Sequence, residues 1–194
     1  MLLAGHETTA NALSFALWLL AKHPEVQEEG HGEAVRVLGA RRADAPDYPN
    51  LRFASMIFAE AMRLYPTVWV LGRSCGPEPY EFHGFTIEPG AMLLAPQIVV
   101  HRDPRFWEDP EQFQPRRFAE EGKRPKLAYF PFGGGSRQCI GEGLAWMEGV
   151  LVLATILRAW RLGLPAGAPE VLPMSASVNL RPKRGVSLVI ERRR

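Results

Sequence analysis

Cysteine is scarce in this 194-residue sequence: only Cys75 and Cys139 occur, far apart and in no CxxC motif. This scarcity excludes a disulfide framework and a cysteine-rich zinc site, and it favours a reducing, cytoplasmic location. Excess charge is also missing, because the net charge is only +2 and the basic residues are scattered except at the tail, residues 192–194. We therefore expect no nucleic-acid partner.

Long apolar runs are absent as well. No stretch reaches the roughly 18 uncharged apolar residues of a membrane-spanning helix, and the longest run, residues 12–21, is broken by Ser14. Residues 1–7 lack the basic start and cleavage site of a signal peptide, so we expect no membrane segment in this chain. With 46% hydrophobic and 23% charged residues, the composition predicts an ordinary folded domain with a sizeable core.

The stretch from Phe132 to Gly141 reads Phe-Gly-Gly-Gly-Ser-Arg-Gln-Cys-Ile-Gly and leads into a long apolar helical pattern from about residue 142. Neither the third glycine of a dinucleotide-binding loop nor the Gly-Lys-Ser/Thr of a P-loop is present. A sulfur at a helix N-terminus lies in the positive end of the helix dipole, beside N–H groups without intrahelical partners. These effects favour a thiolate that binds a metal. The alternative is a structural cysteine in a tight turn.

The pattern Phe-x-x-Gly-x-Arg-x-Cys-x-Gly resembles the haem-binding loop of the cytochromes P450, in which the cysteine is the axial thiolate ligand of the iron. This resemblance implies haem as the cofactor and Cys139 as the metal ligand. It also implies that Phe132 covers the sulfur and that Arg137 pairs with a haem propionate. Gly135 and Gly141 would let the backbone and the following helix pack closely against the cofactor.

A second motif, Ala-Gly-His-Glu-Thr-Thr at residues 4–9, lies inside a predicted helix. Glycine costs roughly 1 kcal/mol relative to alanine in a helix interior, and a threonine hydroxyl can bond the carbonyl one turn back and open the helix. Such a segment is also typical of a capping box or a polar patch. It resembles the oxygen-activating segment of the cytochromes P450, which implies that Glu7 and Thr8 relay protons from a helix bulge. Ala4 and Gly5 would then lie closest to the haem.

Glu60 and Arg63 adjoin on one face of a helix predicted over residues 51–64. At this spacing the usual interpretation is a solvated surface ion pair worth well under 1 kcal/mol. The resemblance implies instead the buried Glu-x-x-Arg pair of the family, completed by Arg117. Arg116 stands where the family usually has glutamate, and this third basic group could alter the stability of the network.

Periodicity and turn residues predict a mainly α fold with small β-sheets. The resemblance makes this the C-terminal portion of a cytochrome P450 fold, a single partial domain over residues 1–194. By family position Arg73 is a second propionate partner, and we expect His101 to cap a turn rather than bind iron. Predicted helices cover residues 1–22, 24–29 or beyond, 51–64 and 145–162, and predicted strands cover 67–71, short segments of 81–100, 178–180 and 186–190.

The resemblance implies a haem-thiolate monooxygenase that inserts one oxygen atom of O2 into a small apolar organic substrate. Electrons would come from a ferredoxin or a reductase, because no flavin or nicotinamide motif is present. A peroxide-using member of the family is an alternative, although Glu7 and Thr8 argue against it. A truncated, non-catalytic fragment that does not hold haem stably alone is another, because the first predicted helix opens without a start signal.

Overall fold

Apolar helical faces organise the structure, a computed structural model that describes residues 2–120, 122 and 125–193, with side chains from residue 5 onward. None of the helices within these ranges is long and apolar enough to cross a membrane. Short 3-10 turns lie at Ala45–Asn50, Pro115–Phe118, Lys126–Ala128 and Gly135–Arg137. The α-helices are α1 (Leu2–Lys22), α2 (Pro24–Leu38), α3 (Arg52–Leu64), α4 (Gln97–Val100) and α5 (Glu142–Ala159).

Helices α1, α2, α3 and α5 pack on one another around a single apolar core. Phe15, Leu20, Ile57, Leu153 and Leu157 are completely buried there. Burial of one such side chain stabilises the fold by about 1.5–3 kcal/mol. The periodic apolar residues of the sequence therefore predict all four helices, with a difference at the end of α5.

Eight short strands form four two-stranded antiparallel sheets in the described part of the chain. The mainly α fold with small β-sheets is thereby confirmed. The pairs are β1 (Leu71–Ser74) with β4 (Met92–Ala95), β2 (Tyr80–Phe82) with β3 (Phe85–Ile87), β5 (Trp160–Gly163) with β8 (Val189–Arg192), and β6 (Met174–Ala176) with β7 (Leu180–Pro182).

The strand predicted over residues 67–71 is wrong in its position, since β1 begins only at Leu71. The residues before it bond to several elements in turn rather than to one neighbouring strand. The Thr67 carbonyl accepts from Leu180 N–H at 2.8 Å, and the Trp69 carbonyl accepts from Ile98 N–H at 3.1 Å. Because these carbonyls bond to different elements, residues 67–70 do not form the regular series of hydrogen bonds with one neighbour that defines a β-strand.

The helix predicted to run to residue 162 ends at Ala159, where the chain turns into β5. Buried Gln27 of α2 is one reason for this early end. Its Oε1 accepts from Leu162 N–H at 2.6 Å, and its Nε2 donates to the Leu162 carbonyl at 3.0 Å. A side chain more than a hundred residues away thus holds the extended backbone, which local periodicity does not reveal.

The C-terminal strands also lie later than the sequence predicts, at β7 and β8 rather than at residues 178–180 and 186–190. Val178 has a high strand propensity, yet 89% of its surface is exposed. The end of β8 is held by Arg193, whose N–H donates to the Ala159 carbonyl at 2.9 Å and whose side chain pairs with Glu28 at 2.8 Å. These distant partners set the position of β8.

Helix α3 begins at a leucine N-cap that provides no capping side chain. Buried Glu33 of α2 replaces it, because its two oxygens accept from Phe53 N–H at 2.8 Å and Ala54 N–H at 2.9 Å. A carboxylate at a helix N-terminus satisfies free N–H groups and interacts favourably with the dipole. Glu33 thereby holds the helix that carries Glu60 and Arg63.

Candidate functional site around Cys139

The N-terminal part of α1 presents an open face at Gly5. A Cβ atom built on this glycine meets nothing within 4 Å. Glu7 and Thr8 are half-buried one turn further on, and the Thr8 hydroxyl bonds the Gly5 carbonyl at 3.4 Å. The side chain of Ala4, which the sequence analysis also places at the cofactor, lies outside the described residues.

The predicted bulge in this segment is wrong, because α1 is α-helical throughout Leu2–Lys22. The glycine and the two threonines weaken the helix locally. Apolar residues that follow, including Phe15 and Leu20, are completely buried. Their packing holds the helix in register across the weak segment.

The Cys139 loop is a short, hydrogen-bonded turn that ends at the start of α5. Cys139 N–H donates to the Phe132 carbonyl at 3.0 Å, and Gln138 N–H donates to the Gly135 carbonyl at 3.1 Å. Gly133 has a φ of +75° and Gly135 a φ of +69°, a region in which glycine is strongly favoured. The turn itself therefore favours glycine at residues 133 and 135.

The surroundings of Cys139 are apolar and open. The thiol is exposed, and a Cβ atom built on Gly141 would lie 3.8 Å from its Sγ. Ile140 exposes 90% and Leu144 64% of its surface, while the Phe132 ring packs 5.9 Å from the Trp146 ring. The exposed thiol has a backbone glycine close to its sulfur and exposed apolar side chains around it. This arrangement fits a large, flat, apolar cofactor such as haem.

One short segment joins the open end of α1 to the Cys139 loop. At its start the Thr67 hydroxyl donates to the Thr8 carbonyl at 3.3 Å. At its end a Leu71 methyl lies 3.5 Å from a Cβ atom built on Gly133. Four extended residues span at most about 13 Å. The segment 67–71, called the tether below, thus contacts α1 at one end and the Cys139 loop at the other.

The two arginines predicted to bind haem propionates are both exposed. Arg73 follows the tether in β1, and its Nη1 donates to the Gly72 carbonyl at 2.8 Å. Arg137 ends the 3-10 turn of the Cys139 loop. Both guanidinium groups are accessible to carboxylates, which they bind well in a bidentate geometry.

The predicted burial of Glu60 and Arg63 is confirmed, and the surface-pair interpretation is wrong. Both side chains are fully buried, and Arg63 Nε and Nη2 bond the two Glu60 oxygens at 2.7 and 2.8 Å. Arg63 Nη1 donates to the His101 and Pro110 carbonyls at 2.9 and 2.7 Å. Every charged group of this buried pair therefore has short, charge-assisted hydrogen bonds.

Arg117 completes the network as predicted, with its Nε 2.9 Å from Glu60 Oε1. Its Nη1 donates to the Glu108 carbonyl at 2.8 Å. Arg116, the unusual residue at the neighbouring position, is largely exposed and pairs with Glu29 of α2 instead. The extra positive charge therefore lies outside the buried network.

His101 caps a turn as expected, because it is the C-cap residue of α4 and its N–H donates to the Gln97 carbonyl at 2.8 Å. Its ring is completely buried, and Nε2 accepts from Phe130 N–H at 3.0 Å. Burial first, and then the charges of Arg63 and Arg102, lower the pKa of His101 to about 3. The nearby turn is held by Asp103, whose Oδ1 accepts from Arg105 N–H at 2.9 Å.

A partly open cavity of about 430 Å³ lies away from this site, between the C-terminal part of α1 and the last loops. Trp18, Leu172 and Val186 are among its lining residues, and none of the predicted site residues is. The surface at Cys139 is open by comparison, as the exposure of Ile140 shows.

These features define a class of protein: a mainly helical chain with a cysteine loop suited to thiolate-bound haem, backed by a buried Glu–Arg–Arg network. The comparison with protein families is specific, because the family model for cytochrome P450 matches residues 1–189. The chain belongs to the cytochrome P450 family, and its helix-rich structure with small sheets is consistent with that fold.

Individual relatives come from bacteria and animals. A Mycobacterium tuberculosis protein named as cytochrome P450 132 is 38% identical over 193 residues, which is 99% of this chain and 41% of the relative. Cyclooctat-9-en-7-ol 5-monooxygenase of Streptomyces melanosporofaciens is 40% identical over 83% of this chain and 35% of its own length. Human cytochrome P450 4V2 is 37% identical over 97% of this chain and 36% of its own length. The chain spans about two-fifths or less of these curated relatives.

Proposed function

We propose that the protein to which this chain belongs is a haem-thiolate monooxygenase, an oxidoreductase that inserts one oxygen atom of O2 into an apolar organic substrate. The observation that carries the proposal is the exposed Cys139 thiol, held in a glycine loop at the start of α5 within a cytochrome P450 match over residues 1–189. We propose further that residues 1–194 are the C-terminal portion of one such domain.

In this proposal Cys139 Sγ is the iron ligand, and haem bound there supplies the chemistry of dioxygen activation. Phe132 and Gly135 shape the loop on the sulfur side, and Gly141 lets α5 come close. Arg73 and Arg137 bind the two propionates. Gly5 leaves space for the cofactor on the α1 side, and the motif assigns Ala4 to the same site.

Glu7 and Thr8 deliver protons in this proposal. Glu7 is half-buried, so its carboxylate reaches solvent while it lies beside the open face at Gly5. The Thr8 hydroxyl, 3.4 Å from the Gly5 carbonyl, takes a proton at Oγ1 and passes it inward. A positioned acid and a positioned alcohol are groups that can pass protons to a reacting centre.

The electron donor in this proposal is a ferredoxin or a flavin-containing reductase, and the compartment is the cytoplasm, where two free thiols stay reduced. A first substrate to test is cyclooctat-9-en-7-ol, because it appears in the name of a relative with 40% identity. The expected product gains one oxygen atom from isotopically labelled O2, as detected by mass spectrometry. Turnover with peroxide but not with the reductase would instead favour a peroxide-using enzyme.

The haem ligand is tested by the absorbance of the reduced, carbon monoxide-treated, haem-loaded chain. We expect the red-shifted Soret band of thiolate ligation in the parent and in the control Cys75→Ala, but not in Cys139→Ala. Cys75 is half-buried and lies in the loop after β1, which makes it a matched free thiol. A red-shifted band that survives in Cys139→Ala would disprove the proposed ligand.

A second candidate is a non-catalytic fragment that does not retain haem alone. The open apolar surface at Ile140 and Leu144, and the match to only 35–41% of the relatives' lengths, favour it. Gel filtration of the haem-loaded chain separates the two candidates. Haem that co-elutes with the chain supports the enzyme, and haem that is lost on the column supports the fragment.

A further inference from the structure

The backbone of Phe130 is held from both sides by buried side chains. Phe130 N–H donates to His101 Nε2 at 3.0 Å, and Gln97 Nε2 donates to the Phe130 carbonyl. His101 and Gln97 are both completely buried. Because an unsatisfied buried polar group is costly, each bond strongly restrains this peptide.

The restrained peptide lies at the entrance of the Cys139 loop. Two residues after Phe130, the Phe132 carbonyl accepts the Cys139 N–H at 3.0 Å. The position of the Cys139 backbone therefore depends on where the Phe130 peptide is held. Gly133 follows Phe132 directly, and Gly135 lies two residues further on. Because glycine loses more conformational freedom on folding than any other residue, contacts from outside the loop help to fix its conformation.

His101 also belongs to the buried ion network. Its carbonyl accepts from Arg63 Nη1 at 2.9 Å, and its ring packs 5.1 Å from that of Tyr129. The Tyr129 hydroxyl donates to the Ala59 carbonyl at 3.0 Å, which adds a second connection to α3. The network on α3 and the segment that leads into the Cys139 loop are thus joined through His101 and Tyr129.

The bond from Phe130 requires a neutral imidazole whose Nε2 is unprotonated. Burial and the positive charges of Arg63 and Arg102 keep the ring neutral, because they lower the pKa of His101 to about 3. The acceptor is therefore present at every pH at which the protein is expected to work.

We propose that His101, assisted by Gln97, is a positioning residue that holds the Cys139 loop in the conformation that ligates haem. Its effect on the thiolate passes through the Phe130 peptide, so it contacts neither the iron nor the substrate. The haem part of this inference rests on the proposed function, whereas the restraint of the loop does not.

The restraint is tested first without haem, by amide hydrogen exchange of the 194-residue chain. His101→Phe keeps an aromatic ring but removes the acceptor. We expect the amide exchange rate in peptides covering residues 130–141 to rise about 10-fold relative to that of residues 12–21 of α1. A rise of this size follows from the loss of one buried hydrogen bond. His101→Gln, which retains an acceptor oxygen, is expected to recover part of the protection.

His31→Phe is the matched control, because His31 Nδ1 contacts the Leu157 carbonyl at 2.9 Å in a different part of the core. Its exchange at residues 130–141 is expected to equal that of the parent. Equal exchange at these residues in His101→Phe and the parent, or an equal rise in both histidine variants, would overturn the proposal. If His101→Phe does not fold, Gln97→Leu tests the same peptide from its carbonyl side.

The second measurement is the carbon monoxide spectrum of the haem-loaded chain. We expect His101→Phe to lose at least half of the thiolate-type red-shifted band, His101→Gln to recover part of it, and His31→Phe to keep it. A band that is unchanged in His101→Phe would overturn the positioning of the ligand. If the parent itself shows no such band, the proposed function fails, and the exchange experiment still decides whether His101 holds the loop.

Discussion

The Glu60–Arg63–Arg117 network and the Cys139 loop differ most in how their polar groups are satisfied. Glu60 and Arg63 have no exposed surface, and each finds its partners within the chain. The loop lies on the surface, with Cys139 and its neighbour Ile140 exposed. Buried charges demand complete pairing, whereas the loop proposed to bind haem keeps one face uncovered and bonds to the buried side chains only on its other face.

The largest expected effect comes from breaking the network. Glu60→Ala leaves Arg63 as an unpaired buried charge, which should lower the free energy of unfolding by about 3–5 kcal/mol. Urea denaturation of the haem-free chain measures this loss. Glu29→Ala is the matched control, because it removes the exposed partner of Arg116 and should cost at most about 1 kcal/mol. Comparable losses in the two variants would contradict the conclusion that the buried ion pair contributes more to stability than the exposed one.

Acid should weaken the connection between the two regions. Burial lowers the pKa of His101 to about 3 in the folded protein from its ordinary value of 6.5. Between these values the unfolded chain binds a proton that the folded chain does not, so stability falls as the pH drops below 6.5. From pH 7 to pH 4.5 this group should remove about 2–3 kcal/mol.

The contribution of His101 is isolated by comparing urea unfolding of the parent and of His101→Phe across this pH range. Other groups titrate in both proteins, so the difference between the two curves reports the histidine. We expect the stability difference between parent and variant to shrink as the pH falls. A difference that is constant with pH would show that the ring is not held neutral.

A third prediction compares the first turn and the middle of α5. A methyl group at Gly149 would overlap the buried Phe58 ring, so Gly149→Ala should destabilise the fold by about 1–3 kcal/mol. Gly143, beside the Cys139 loop, has open space within 4 Å of a built Cβ atom. Gly143→Ala should therefore be neutral or stabilising by up to about 1 kcal/mol. Thermal unfolding monitored by circular dichroism measures both, and equal effects would be inconsistent with the packing described.

The smallest expected effect is on the stability of the haem-free chain when the proposed ligand is removed. Cys139 is exposed, so Cys139→Ala should change the free energy of unfolding by less than about 0.5 kcal/mol. Urea denaturation again provides the measurement. A loss of more than about 1 kcal/mol in the free energy of unfolding would mean that the thiol packs in the core and is not free to bind a ligand.

Several features were predictable from the sequence because they depend on neighbouring residues. The helical periodicity placed α1 and α3 almost to the residue, and the motif around Cys139 identified a glycine turn at the start of α5. The Glu60–Arg63 pair was recognisable as a motif. Its burial followed from the resemblance to a family, since the spacing alone favoured a surface pair.

Other features depended on contacts that local patterns do not contain. His101 bonds a peptide 29 residues further along the chain, and Gln27 ends α5 from a distance of 135 residues. The bulge expected at residues 5–9 is absent because the core packing of α1 outweighs the weak helix propensity of that segment. No sequence signal distinguished His101 from an ordinary histidine in a turn.

The sequence by itself determined the proposed haem ligand and its immediate setting: one thiol at Cys139, glycines that permit the turn, and apolar helices that build the core. Only the tertiary structure decided that Glu60 and Arg63 are buried, that His101 is a neutral acceptor, and that Arg116 stays at the surface. The physical reason is that burial, and the cost of an unpaired polar group within it, arise only when distant segments pack together.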